Sequence, residues 1–233
     1  MGKIKRLPTG ISQFRSISDS NLYYVDKTMY LPKMEAVSDC ENYKDIDEEF
    51  QGTWIAEHPL ETKGKFQVLS LDFSQVVGCA DNLQDAFHVY LGIKIDAFLR
   101  KYGKYYSQKA IEAAHNAPTA GGKIAAFVGE AKEKGYQLYL IIDEYDNFTN
   151  VVLNEQGHDV YHEMTHGSGF YRDVFKTFKP NFTRILFMGV SPITLDDLTS
   201  GFNIATNISV HYWFNNLLGF SETDVREMIR YYQ

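Results

Sequence analysis

Hydrophobic and polar positions along the chain alternate between strand-like runs and helix-like repeats. The run at 138–142 is apolar at every position, which is typical of a strand covered on both faces of a parallel sheet. Other β-prone runs lie at 66–73 and 184–190, and apolar residues recur at helical spacing over 82–102, 123–134 and 170–178. This order predicts a doubly wound, mainly parallel α/β sheet with its site at the carboxyl ends of the strands.

The regions outside these elements are predicted to flank the sheet. We assign residues 1–36 to a lead-in segment, 37–219 to the α/β core and 220–233 to the start of a small helical region. Ser221 is an expected N-cap for the last helix, because acidic residues occupy the turn that follows it. The acidic stretch at 35–49 is expected to be a solvated helix or loop.

Bulk composition limits the classes of function. The 233 residues are 44% hydrophobic, enough for a buried core, and the formal charge of −7 argues against a surface built mainly to bind nucleic acid. Cys40 and Cys79 are too few for a disulfide framework and lack the paired spacing of a zinc site. No apolar run approaches the length of a membrane span, so we expect a cytoplasmic protein without membrane association.

The candidate chemistry lies where the second predicted strand ends. Four apolar residues are followed by Asp143 and Glu144, which matches the Walker B pattern of ATPases. In that pattern the aspartate orients Mg²⁺ through water and the glutamate polarises the attacking water. The alternative is a strand that simply ends in polar, turn-capping residues. Asp146 adds a third carboxylate that such a turn does not need, which favours a functional site.

Several segments carry a more specific resemblance. They are Leu7–Ile11, Tyr24–Thr28, Leu71–Ser74, Leu140–Asp146, Gly189–Thr194 and Ser200–Thr206. Together they resemble the bacterial predicted AAA-ATPase-like family almost from end to end. The resemblance implies a P-loop NTPase fold, ATP and Mg²⁺ as cofactors, Asp143 as the Mg²⁺ residue, Asp143 and Asp146 at the nucleotide, and Glu144 as a catalytic residue.

The same resemblance implies a catalytic sensor and further domains. Ser191 matches the position that senses the γ-phosphate, although it fits a turn residue ahead of Pro192 equally well. The final helix matches the opening of the ATPase lid, which is expected to be truncated here. A restriction-like nuclease domain often follows in the family and is expected to be absent from this chain, so nucleic acid would be a partner only through that domain.

One element that the resemblance implies is missing from the sequence. A Walker A loop, ending in Gly-Lys-Ser or Gly-Lys-Thr, is expected shortly after residue 28, yet none of the Gly-Lys pairs is followed by Ser or Thr. Without the backbone amides and lysine of that loop, a nucleotide loses its main anion cradle, so ATP hydrolysis is not expected. Three explanations fit the missing loop: a natural loss, an engineered deletion, and a stretch that the given sequence leaves out. Either residues 22–31 or a partner chain is expected to fill the gap in the sheet.

A competing motif lies between the second and third strands. His162-Glu163-Met164-Thr165-His166 satisfies H-E-x-x-H, in which two histidines bind zinc and the glutamate acts as general base. Gly169 fits the extended form of the motif, but Arg172 occupies the third ligand position and cannot bind zinc. A surface helix with capping or packing histidines is the simpler interpretation.

Three functions therefore remain open at the level of sequence. The first is an AAA-ATPase-like domain that is unable to hydrolyse ATP in this form. The second is a non-catalytic scaffold that binds an unknown protein partner or a second copy of the chain. The third is a zinc-dependent hydrolase that uses His162 and His166.

Overall fold

The computed structural model describes residues 4–11, 13–34, 50–76, 82–166, 169–190 and 207–233. The chain divides into two compact units, one of residues 1–64 with 206–233 and the other of residues 65–205. Over the described residues the α-helices are α1 Phe14–Asp19, α2 Trp54–Glu57, α3 Leu83–Tyr102, α4 Gln108–Asn116, α5 Ala120–Glu133, α6 Asn147–Gln156, α7 His158–Thr165, α8 Phe170–Phe178 and α9 Glu222–Tyr232. None of the helices in these ranges is long and apolar enough to cross a membrane.

The larger unit is built on a parallel sheet. Its strands are β1 Phe66–Asp72, β2 Gln137–Asp143 and β3 Arg184–Phe187, in the order β1-β2-β3. The α/β class and the parallel sheet are therefore confirmed. The strand predictions at 66–73 and 138–142 are correct to within one residue at each end, because their apolar runs coincide with the buried strands.

Burial is deepest around the central strand. Leu140 and Ile142 of β2 are fully buried, as are Phe87, Leu91 and Ile95 on the inner face of α3. An aromatic cluster of Phe73, Phe87, Tyr171 and Phe175 joins the end of β1 to α3 and α8, with four edge-to-face ring contacts among them. These four aromatic side chains therefore belong to the core.

Helix α3 covers the outer edge of β1 through two tyrosines. The backbone N–H of Val68 donates to the Tyr102 hydroxyl at 3.0 Å, and the N–H of Asp72 donates to the Tyr90 hydroxyl at 2.6 Å. Burial raises the pKa of Tyr90 to about 12, so this hydroxyl stays neutral at physiological pH. Edge N–H groups satisfied in this way cannot pair with a further strand.

The third strand is shorter and more exposed than its sequence predicts. The prediction of a strand over 184–190 is wrong beyond Phe187, and Ile185, Leu186 and Phe187 are only half-buried. The N–H of Met188 still donates to the carbonyl of Ile142 at 2.8 Å. The strand then ends because the N–H of Val190 binds a side chain instead of the sheet.

The other differences between the structure and the sequence predictions concern where helices begin and which short helices were not predicted. Helix α5 begins at Ala120 rather than at Lys123, because the Thr119 hydroxyl accepts from the N–H of Gly122 and caps the helix there. Gly121 and Gly122 therefore belong to its first turn. Helix α4 has no counterpart in the sequence predictions. Helix α8 spans the predicted residues, and Ser221 caps α9 in a capping box with Asp224.

The smaller unit joins the two ends of the chain. The Lys27 ammonium lies 2.6 Å from the Asp224 carboxylate, and this bond and the Ser221 N–H lower the pKa of Asp224 to about 2. Residues 22–31 form no strand of the described sheet, and Thr28–Met34 is a 3₁₀ helix, so the expectation that this segment fills the gap is wrong. The boundaries at 36 and 219 stay predictions, and residues 35–49 lie outside the described residues.

We expect Tyr102→Phe to destabilise the larger unit by about 0.5–1.5 kcal/mol, because it removes the acceptor of the part-buried N–H of Val68. Urea unfolding followed by circular dichroism measures this change. Tyr136→Phe, at a half-buried tyrosine outside α3, serves as control and is expected to cost less. Equal stability of Tyr102→Phe and the parent chain would show that this edge bond contributes nothing.

Candidate functional site at the carboxyl ends of the strands

Two aspartates end neighbouring strands in register. Asp72 of β1 pairs with Asp143 of β2 as the last residue pair of the ladder. The Asp72 carboxylate accepts from the Ser74 hydroxyl at 2.6 Å, from the Ser74 N–H at 3.0 Å and from the Gln75 amide at 2.7 Å. The hydrogen bond from the Ser74 hydroxyl is the main cause that lowers the pKa of Asp72 below its usual value. Asp72 therefore shapes the 3₁₀ turn that follows β1.

Asp143 and Glu144 lie closer to solvent. Asp143 is exposed, and one of its carboxylate oxygens accepts from the N–H of Glu144 at 3.0 Å. Glu144 is half-exposed and has φ of 52°, in the left-handed region that costs a residue with a side chain about 1–2 kcal/mol. Backbone strain of this kind concentrates at functional sites, so it supports Glu144 as a candidate functional residue.

Asp146 lies inside the protein rather than at the solvent edge. Only 1% of it is exposed. Both of its carboxylate oxygens lie 3.2 Å from the N–H of Val190, and the Asn150 amide donates to it at 3.2 Å. The carboxylate thus joins the turn after β2 to the chain after β3. Its predicted role at the nucleotide stays a prediction, and its contacts indicate a structural clamp.

Gly189 makes this clamp possible. A Cβ atom at this position would lie 2.4 Å from Asp146 Oδ1 and 2.6 Å from Tyr145 Cε1, closer than side-chain atoms can approach. The N–H of Tyr145 donates to the carbonyl of Met188 at 3.2 Å, so the two backbones are held together here. Gly189 has no such role among the sequence predictions, although a glycine within a β-prone run often marks a close approach of another backbone.

A buried tyrosine also holds the turn. The Tyr171 hydroxyl of α8 donates to the carbonyl of Tyr145 at 2.5 Å. Burial first, and then the Asp146 carboxylate, raise the pKa of Tyr171 well above its ordinary value, so the hydroxyl stays protonated and able to donate. The turn 143–146 is therefore held by α8 as well as by the chain after β3.

A family model described as Predicted AAA-ATPase, of the AAA-ATPase-like type, matches residues 38–199. The chain belongs to the AAA-ATPase-like family. No curated protein and no solved structure matches it.

The match places both strand ends of the candidate site within the AAA-ATPase-like region, since Asp72 and Asp143 fall inside 38–199. Ser191, the predicted sensor residue, also falls in the matched region but lies outside the described residues. Exposed carboxylates fit the preference of Mg²⁺, which takes one or two carboxylates and otherwise keeps water and phosphate oxygens. Asp143 and Glu144 are the residues that could hold it.

The H-E-x-x-H segment forms the end of α7. His162 and Glu163 are exposed, and His166 follows the last helical residue. Within the described residues, no group of three or more His, Cys, Asp or Glu side chains could share a metal ion. The ligand count of a catalytic zinc site, three protein side chains, is therefore not reached in this part of the chain.

We expect Gly189→Ala to destabilise the larger unit by about 1–3 kcal/mol, because the new methyl group would displace Asp146 or Tyr145. Gly129→Ala is the matched control, since no atom lies within 4 Å of its Cβ position on the exposed face of α5. It should stabilise the helix by about 0.5–1 kcal/mol. Thermal and urea unfolding of both variants test the pair, and equal effects would refute the clamp.

A second experiment concerns the strain at Glu144. Glu144→Gly should leave the free energy of unfolding unchanged to within about 0.5 kcal/mol, because relief of the left-handed strain offsets the entropy that glycine gains on unfolding. Glu144→Val should lower it by about 1–2 kcal/mol. Urea unfolding distinguishes the two, and a loss with glycine as large as with valine would contradict the conformation.

Proposed function

We propose that this chain is an AAA-ATPase-like domain that binds Mg²⁺–nucleotide only weakly, at the carboxyl ends of β1 and β2, and does not hydrolyse ATP by itself. The observation that carries the proposal is the pair formed by the exposed Asp143, at the end of the central strand, and the half-exposed Glu144 that follows it. Their order after four apolar residues is that of a Walker B strand, and their exposure leaves them open to a ligand.

The weakness of binding follows from the sequence between and around these elements. No Gly-Lys pair in the chain is followed by Ser or Thr, so the lysine and the row of amides that hold the β- and γ-phosphates have no counterpart. A carboxylate pair attracts Mg²⁺ but repels the phosphates themselves. The nucleotide would therefore be held through the cation and water, and not by a phosphate-binding loop.

The catalytic roles in the proposal are limited to what these residues can do. Mg²⁺, when bound with a nucleotide, would neutralise phosphate charge. Asp143 would hold water in the shell of the cation, and Glu144 would accept a hydrogen bond from a nearby water. Ser191 would contact the phosphate end of the nucleotide. Without a loop that fixes the phosphates, water and phosphorus are not aligned, and hydrolysis does not follow.

Titration of the ¹⁵N-labelled chain with Mg²⁺–ATP tests the proposal. We expect amide shifts at residues 143–147 that saturate with a dissociation constant of about 1 mM or weaker, or roughly −4 kcal/mol. Asp143→Asn should abolish them. Glu133→Gln removes the same charge from an exposed site at the end of α5, ahead of the amino end of β2, and should leave them unchanged.

Two results, one from a phosphate-release assay and one from the titration, would overturn parts of the proposal. Phosphate release above the uncatalysed rate that disappears in Glu144→Gln would mean that the chain hydrolyses ATP. If Mg²⁺–ATP at about 10 times the expected dissociation constant caused no amide shifts at 143–147, the chain would not bind the nucleotide at this site.

A second candidate, a non-catalytic interaction scaffold, is favoured by the contrast between the two outer strands. The outer edge of β1 is covered by Tyr90 and Tyr102, whereas the apolar side chains of β3 are half-buried and Met188 and Val190 are 40% and 87% exposed. A protein partner or a second copy of the chain would bury these side chains. Failure of the nucleotide titration would leave this candidate in place.

A further inference from the structure

An uncharged segment of the smaller unit exposes several large apolar side chains. Charged residues make up 23% of the chain, yet residues 207–221 contain no Asp, Glu, Lys or Arg. Five apolar residues of this segment are largely exposed, namely Val210 at 87%, Tyr212 at 69%, Trp213 at 54%, Leu218 at 85% and Phe220 at 65%. We call these five residues the apolar patch. Apolar residues exposed singly are ordinary, but a group of this size is typical of an interaction surface.

Backbone hydrogen bonds fold this segment into consecutive turns. The N–H of Phe214 donates to the carbonyl of His211 at 2.9 Å, and the N–H of Leu217 donates to the carbonyl of Phe214 at 2.9 Å. Residues Tyr212–Phe214 form a 3₁₀ helix, and the ring centroids of Phe214 and Tyr30 lie 6.5 Å apart, which links the segment to the lead-in segment. Because the backbone is already ordered, burying the patch costs less conformational entropy than burying a flexible loop.

Ring contacts hold the aromatic residues in the middle of the segment next to one another. The ring centroids of Tyr212 and Trp213 are 5.5 Å apart, and the His211 ring lies 5.1 Å from each of them. The N–H of Trp213 donates to His211 Nδ1 at 3.3 Å, so this nitrogen carries a lone pair and the ring is neutral. The aromatic part of the patch therefore carries no charge.

The charge of the whole chain limits what can cover the patch. The formal net charge is −7, so two copies of the chain repel each other across most of their surfaces. In a two-fold dimer the same surface lies against itself, and a surface of one sign opposes its own charges. An uncharged apolar surface is free of this repulsion. The patch is therefore the kind of surface through which two acidic copies associate.

The exposed area suits a weak dimer. An aromatic side chain buries about 150–250 Å², so the five exposed residues offer on the order of 600 Å² per copy. Two copies would bury roughly 1,200 Å² in total, which is the lower limit of specific, stable interfaces. Closed two-fold dimers are the commonest oligomers, whereas pairing the patch with a different surface is head-to-tail and gives rings or open filaments.

We propose that the apolar patch is a self-association surface, which binds the same patch of a second copy of the chain in a two-fold dimer. The patch lies in the smaller unit, so the proposal is independent of nucleotide binding at Asp143 and of the apolar side chains of β3. The expected dissociation constant is about 1–100 μM, because interfaces at the lower limit of size bind weakly.

Sedimentation velocity of the full chain over a range of concentrations tests the dimer. The weight-average mass should rise from that of a monomer towards twice that value between about 1 and 300 μM. Leu218→Glu and Phe220→Glu should each weaken the dimer at least ~10-fold, because each copy then brings an unpaired carboxylate into an apolar interface. Both side chains are exposed, so their replacement leaves the fold intact, which circular dichroism checks.

The matched control is Ile93→Glu on α3. Ile93 is 58% exposed, close to the exposure of Phe220, and its replacement adds the same charge outside the patch. The dissociation constant should then change less than about twofold, since salt screens a charge that lies outside the interface. Added NaCl should tighten the dimer of the parent chain, because it screens the repulsion between two acidic copies. An interface built from opposite charges would weaken instead.

Several results would overturn the proposal. A parent chain that stays monomeric up to about 300 μM would exclude the dimer, and flotation of that monomer with phosphatidylcholine vesicles would assign the patch to a lipid surface. Loss of association in Val190→Glu but not in Leu218→Glu would place the second copy at β3. Equal losses in Ile93→Glu and Leu218→Glu would mean that added negative charge, and not the patch, separates the copies.

Discussion

The buried carboxylate of Asp146 is the constraint on which the carboxyl ends of the strands depend. A carboxylate inside a protein is costly unless its oxygens are satisfied, and here the N–H of Val190 and the amide of Asn150 supply the bonds. Because Val190 lies just beyond β3, satisfying Asp146 means drawing the chain after β3 against the turn after β2. Gly189 permits that approach.

Because of this constraint, the three carboxylates of the turn have different roles. Asp146 holds the turn together, so the groups that remain open to a ligand are Asp143 and Glu144. The Tyr171 hydroxyl donates to the carbonyl of Tyr145, and Glu144, next to it, has a left-handed backbone conformation. We attribute the strain at Glu144 to the clamping of its neighbours.

The sequence predicts well those parts of the fold whose side chains bury large apolar area. Strands β1 and β2 and helix α8 match their patterns, because Leu140, Phe175 and their neighbours leave no other face to bury. Helix α4 is not predicted in the same way, because its only buried residues, Ala110 and Ala114, bury little apolar area. The pattern at 184–190 overestimates β3, because hydrophobicity alone does not show that the N–H of Val190 bonds to Asp146.

The candidate site is predictable in its residues but not in their roles. The spacing of Asp143, Glu144 and Asp146 identifies a turn with three carboxylates, yet which of them is buried depends on an N–H 44 residues later in the chain. Sequence spacing likewise finds His162 and His166, but only the structure shows that their rings are stacked face to face, 3.9 Å apart between centroids. Local patterns therefore name the chemical groups, and long-range hydrogen bonds decide what each can do.

The two outer strands of the described sheet show how the same fold treats edges differently. At β1, two tyrosines twelve positions apart on α3, about 18 Å along the helix, reach N–H groups four residues apart, about 13 Å along the strand. Within the described residues β3 has no equivalent tyrosine pair, and its side chains are half-buried. Half-buried apolar side chains favour an association that covers them, so the proposal of an interaction scaffold rests on the same short strand that ends just before the Asp146 clamp.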